Sequence, residues 1–150
     1  AGTALQADAA ALCLLVSERM LTKLPASTRV MRWVADISGG GSADSPPWAI
    51  VPVVQRLFER NGLSADHFYR IELMEAYAVQ ALVNAHHLGL PLDKLNQGGG
   101  ALARGHPIGA SGAILAVRAY QEMAQAPEGS LALAAIAAAG GLASAVVLEA

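Results

Sequence analysis

Residues Gly98 to Gly112 read GGGALARGHPIGASG, with one imidazole, His106, held between Gly105 and Pro107. Glycine lets a backbone take positive φ and approach a ligand closely, and the proline ring fixes the exit from the turn. A neutral imidazole on such a turn can donate to a developing oxyanion or take a proton from a nucleophile. Ser111 is placed to cap a following helix, whose amide-rich N-terminus then faces the same spot. Gly105, Gly109 and Ser111 are therefore candidate oxyanion or substrate contacts beside a catalytic His106. The glycine content alone leaves open a tight turn with an incidental histidine.

The rest of the chain must position that loop. The apolar run Ala10–Val16 reads as a strand covered on both faces. Ser17 reads as the cap of a short helix, SERMLTKL, that Pro25 ends. Val30–Ile37 alternates like a strand. Pro52 suits the first turn of the helix PVVQRLFER, and Asn61-Gly62 suits its end. FYRIEL comes next as a strand, and EAYAVQALVNAHHL as a helix stopped by Gly89 and Pro91. Beyond the glycine loop lies the helix GAILAVRAYQEMA. Leu131–Leu148 has the length of a membrane span, but Gly140-Gly141 divide it and alanine dominates it. Two short buried strands joined at the glycine pair fit it better. The sum is an α/β fold with helices on both faces of a mixed sheet.

Composition narrows the function classes. The chain has 150 residues, enough for one core, with 54% hydrophobic and only 15% charged residues. A net charge of −2 argues against nucleic acid. The single cysteine, Cys13, rules out a disulfide framework and suits a reducing compartment, the cytoplasm; its apolar flanks mark it as a small buried hydrophobe. No basic n-region of a secretory signal opens the sequence, and no metal or phosphate-loop motif is present. His86 and His87 are adjacent on a helix and point apart, His67 stands in a polar turn, and Trp33 and Trp48 read as packing.

NQGGGALARGHPIGASGA (Asn96–Ala113) resembles the thiolase superfamily, in which a segment N-x-x-G-G-A-x-A-x-G-H-P-x-G-x-S-G carries an active-site histidine. IELMEAYAVQAL (Ile71–Leu82) is similar to the family's E-x-N-E-A-F-A-x-Q segment. GLASAVVLE (Gly141–Glu149) is similar to its closing strand, and ADAAALCLLVSE (Ala7–Glu18) to its D-G-A-A-A-x-x-L-x-S-E strand and helix. The resemblance implies the C-terminal half of a thiolase fold, residues 1–25 resembling the last strand and helix of the N-terminal half. It implies that Gly140 and Gly141 lie near the site, and that Trp48 is positioned to line an acyl pocket. It also implies an acyl thioester of coenzyme A as substrate, with no bound cofactor.

The departures from the family are as informative. Met74 stands where the family has the asparagine that holds an oxyanion-hole water. Ala137, aligned back from Glu149, stands where it has a second cysteine acting as acid and base. Cys13 does not match the nucleophile. The resemblance thus implies a partner chain like the N-terminal half, carrying the attacking cysteine, with the pair dimerising again. The sequence starts before one strand and stops after another, which suits a split gene. Acylation can run with His106 alone. Condensation needs an α-proton base unless it is decarboxylative. Glu75, next to the altered site, is one candidate base; a helix N-terminal carboxylate is its structural reading. A non-catalytic, thioester-binding half is the alternative function.

Overall fold

The computed structural model describes Gly2 to Ala150. The mixed sheet has the order β1-β4-β3-β2, with β1 at Arg32–Gly40, β2 at Phe68–Leu73, β3 at Leu131–Ala138 and β4 at Leu142–Glu149. β1 with β4 and β4 with β3 are antiparallel; β2 with β3 is parallel. The divided alanine-rich stretch is the hairpin β3–β4, turning at Gly140-Gly141. Alanines suit that place: Ala132, Ala134, Ala135, Ala143 and Ala145 are all buried, so the helices sit close to the sheet on small side chains.

The helices are α1 (Glu18–Leu21), α2 (Ile50–Asn61), α3 (Ala78–Leu88), α4 (Ala101–Arg104) and α5 (Ser111–Glu122). Strand alternation assigns them to opposite faces. Ile37, Ala145 and Leu133 share the α2 face, where Val53 lies against Gly39. Ile136 shares the other face, where it meets Gly112 at the start of α5. α2 buries Ile50, Val51, Val53, Val54 and Leu57 on one side, its apolar positions falling three and four apart. Gly62, left-handed at φ 62, ends it where the Asn-Gly pair predicts. No helix among the described residues is long and apolar enough to cross a membrane.

Four expectations need correction. Ala10–Val16 forms no strand: Leu12, Leu14 and Leu15 are 89%, 79% and 65% exposed. A strand needs a neighbour for its backbone groups, and none of the described strands lies beside this one. Cys13, on the same segment, is accordingly exposed rather than buried. The helix expected from Glu75 starts only at Ala78, because Met74–Tyr77 is held extended by other contacts. The short helix after Ser17 shrinks to four residues, and Ser17 makes no side-chain cap.

α5 covers β2 and β3 but leaves its face of β1 and β4 open. There Ser38 and Ser144 hydrogen-bond at 2.8 Å in the open, and Leu142 is 59% exposed. Trp33 is exposed too, its Nε1 donating to Asp36 at 2.9 Å, so it does not pack as expected.

Candidate functional site

The loops that build the site leave the C-terminal end of β2 and the segment before α5. Asn96 is the first fixed point. Its side-chain amide pairs with both backbone groups of Leu73, accepting from the N–H at 2.8 Å and donating to the C=O at 2.9 Å. Its own N–H donates to Ile71 O at 2.8 Å. Asn96 thus acts as a one-residue extra strand along the edge of β2, at φ 47, a left-handed value that asparagine tolerates. The glycine segment leaves from that anchor into the four-residue α4.

Glu75 fastens the near end of α4. Its carboxylate accepts from the Leu102 N–H at 3.2 Å and from the Asn96 side-chain amide. The oxygens occupy the space that a Cβ on Gly100 would fill. The dipole reading of Glu75 therefore holds for α4 and not for α3, the helix next to it in sequence. Both carboxylate oxygens are committed to this brace.

Gly105 then reverses the chain at φ 90. A Cβ there would lie 2.6 Å from the Ala7 Cβ, so the residue answers both strain and space. The close neighbour is the N-terminal segment, which runs through the site as a two-sided seam. Ala4 donates to Ala76 O at 3.0 Å, Ala78 donates to Gly2 O at 2.7 Å, and the His106 N–H donates to Leu5 O at 2.7 Å. The His106 peptide N–H is thereby spent on structure, and only its side chain remains for chemistry.

The imidazole is wired at one nitrogen. Nδ1 lies 2.7 Å from Ser111 Oγ. The Ser111 hydroxyl donates to Pro107 O at 2.9 Å. With its hydrogen committed there, the oxygen accepts from Nδ1–H, and the neutral ring carries its lone pair on Nε2. Burial holds the His106 pKa below the ordinary 6.5. The half-buried ring is neutral at neutral pH, with Nε2 available as a base. Ser111 is the first residue of α5, not its cap, and it orients the histidine directly.

A cleft of about 180 Å³ opens beside this arrangement, lined in part by Asp8, Met74, Arg104, Gly105 and Ser111. Met74 is 2% exposed, its N–H donating to Ala135 O at 3.0 Å. Met74 thus borders the cleft with a thioether. Gly109 borders a wider groove of about 540 Å³ between Ala7–Ala11 and the loop.

The remaining candidates lie apart from the cleft lining. Ala137 is half-buried near the end of β3, opposite Ala143. Gly141 is buried in the hairpin turn, accepting from the Gly41 N–H at 2.7 Å, while Gly140 is exposed. Trp48, in the 3-10 turn Pro46–Ala49, stands edge-on to His87 at 4.5 Å and packs there rather than in the cleft. His67 closes a capping box with Ser64. No cluster of three or more metal-ligating side chains occurs among the described residues.

Three site residues escape the sequence reading: Glu72, Asn96 and Arg104. Glu72 has a visible signal, a carboxylate in the middle of the strand FYRIEL, and it is 1% exposed. Burial pushes its pKa up to about 7, against the opposing pull of Arg118 and then Arg104.

Comparison with known proteins places this geometry in a family. Residues 29–150 match the family described as "Thiolase, C-terminal domain". The chain is 39% identical over 146 residues to acetyl-CoA acetyltransferase IA of Candida tropicalis, aligning 95% of this chain with 35% of that protein. It is 42% identical over 118 residues to beta-ketoadipyl-CoA thiolase of Escherichia coli, 77% of this chain and 29% of that one. Among solved structures, the Acat5 thiolase of Ascaris suum in complex with coenzyme A superposes with a TM-score of 0.80 at 28% identity. That match covers 89% of this chain and 34% of that one. Human mitochondrial 3-ketoacyl-CoA thiolase gives 0.76, also at 28% identity, over 82% and 31%. The 150 residues thus span about a third of the length of these relatives. With the match running through β1 to β4 and through the His106 loop, the chain belongs to the thiolase C-terminal domain family.

Proposed function

We propose that these residues are the histidine-bearing part of a thiolase-type acyltransferase acting on acyl-CoA or another acyl thioester. The attacking cysteine lies outside them, on a partner chain, and the pair dimerises. The observation that carries this reading is the imidazole held at Nδ1 by Ser111, next to a cleft that its neighbours Gly105, Pro107 and Ser111 line. In the reaction, Nε2 takes the proton of the cysteine thiol as its sulfur attacks the thioester carbonyl. The carbon–sulfur bond to the leaving thiol breaks, and that thiol leaves with the proton. Family membership and the coenzyme A complex of a relative support the substrate class.

Met74, bordering the cleft, and Ala137, outside its lining, bear on the fate of the acyl group through the family positions they resemble. A methyl group cannot remove an α-proton, and Glu75 has its oxygens engaged with Asn96 and α4. Carbon–carbon bond formation by this site is therefore decarboxylative, or else takes its base from the partner. The same two residues favour the second reading, a half kept for thioester binding without catalysis.

The test is intact-mass spectrometry of the assembled protein after brief exposure to an acyl-CoA. His106→Ala should leave assembly nearly unchanged and slow formation of the acyl adduct by about 10²–10⁴-fold. An adduct that forms at the wild-type rate in the variant refutes the catalytic reading and leaves the binding one.

A further inference from the structure

We propose that Glu72 is a positioning residue for His106, holding Arg104, and through it the Gly105 turn, from beneath the glycine segment. The inference rests on the reading of His106 as the reacting group, but its test does not require catalysis.

The geometry is a brace at both ends of one short helix. Glu72 in β2 and Glu75 just beyond it belong to the same stretch of chain. Glu75 meets the first turn of α4. Glu72 lies 3.9 Å from the guanidinium of Arg104, the last residue of α4. α4 hands the chain directly to Gly105 and His106. Its four residues are too few to hold a direction by their own hydrogen bonds, so the two acids set where it points.

Glu72 is otherwise hard to explain. It pairs in register with Ala134, on the face that α5 covers, and its Oε2 has no hydrogen-bond partner. Charged groups meet it from the elements packed around it: Arg104 from α4, Arg118 and Glu122 from α5, and Glu75 from its own segment. β3 contributes no charged group. Arg118 exerts the larger pull on the Glu72 carboxylate but is salt-bridged to Glu122, and Arg104 is the cation that reaches it, at 3.9 Å, to answer the charge. A buried carboxylate without that answer is costly, and an apolar residue would fill the strand better if packing were its only purpose. Because Glu72 titrates at about 7, ionisation fastens Arg104, and protonation slackens it near neutral pH.

The experiment follows the His106 imidazole by NMR in the assembled protein, from about pH 9 downward until its own titration is complete, a span that includes the Glu72 value of about 7. In the wild type the ring signal should show two steps, its own at low pH and a second near 7 imposed by Glu72. Glu72→Gln should abolish the second step, and should lower the acylation rate about tenfold at pH 8 with little change in KM. Arg104→Gln should move the second step to higher pH, since the carboxylate loses its cation. This second variant decides the matter if Glu72→Gln fails to fold. A step near 7 that survives Glu72→Gln, or one that Arg104→Gln leaves in place, overturns the proposal. Normal acylation by His106→Ala would instead sink the functional reading while leaving the coupling of the two steps to be read independently.

Discussion

Ser111→Ala separates the wiring of the imidazole from its presence. Ser111 is 3% exposed, and its Oγ makes two contacts, 2.7 Å to His106 Nδ1 and 2.9 Å to Pro107 O. Deleting the hydroxyl leaves both partners short of a bond in a place with little water. At about 0.5–1.5 kcal/mol net for each bond, the fold should lose roughly 1–3 kcal/mol. The effect on reactivity is a different quantity. The Nδ1–H···Oγ bond alone biases the neutral ring towards the tautomer with Nε2 bare. Losing about 1 kcal/mol of bias changes the tautomer ratio roughly fivefold, and 1.5 kcal/mol roughly tenfold. Acylation should therefore slow by at most about five- to tenfold, because the population of the reactive tautomer changes less than the ratio, and by far less than on removing the imidazole. Long-range ¹H–¹⁵N spectra read the tautomer directly, thermal unfolding reads the stability, and the acyl adduct reads the rate. Ser111→Thr keeps the hydroxyl and should keep the tautomer. If Ser111→Ala retains both the Nδ1–H tautomer and the wild-type rate, the serine does not orient the ring and the reasoning fails.

Gly105→Ala should be far more damaging than its size suggests, since it meets Ala7 at 2.6 Å and strains φ 90; we expect about 1–3 kcal/mol lost by chemical denaturation. Acid should weaken the fold through His106. Its folded pKa lies below 6.5, so the unfolded chain binds more protons; the stability is complete above 6.5 and lost as the pH falls through the lowered value. His106→Asn should flatten that limb in melting curves recorded against pH. Ala137→Cys should raise α-proton exchange of a bound acyl thioester, measured by deuterium uptake, whereas brisk thiolysis of a 3-ketoacyl-CoA by the unsubstituted protein would show that a base is already present.

Much of the architecture is written in local patterns. The Asn61-Gly62 stop and the glycine pair between β3 and β4 each act over a few residues and appear where the pattern puts them, while the alternation expected over Val30–Ile37 gives a strand shifted to Arg32–Gly40. The failures share a cause of another kind. Ala10–Val16 has the composition of a buried strand, but composition does not supply a neighbouring strand, and among the described residues it lies open. Ser111 carries a capping residue's chemistry, yet a histidine five positions earlier claims its oxygen. Glu75 reads in sequence as serving the helix just after it, while the helix it serves begins 26 positions later at Ala101. Each outcome is decided by a contact across the fold, which no window of sequence displays.

The seam of Gly2–Gln6 has a kinetic consequence. It ties residue 5 to residue 106 and closes a loop of about a hundred residues with only a handful of bonds, so loop-closure entropy opposes it while little local structure favours it. Contacts of such high sequence separation are expected to close after the hairpin and α5 have formed. They should also open first, at a free energy below that of the whole domain. In native-state hydrogen exchange, the His106 amide should then exchange faster than the amides of β3 and β4, through openings that leave the sheet intact. The His106 loop would be the last part of the molecule to become itself, and removing residues 2–6 would loosen it while the sheet stayed folded.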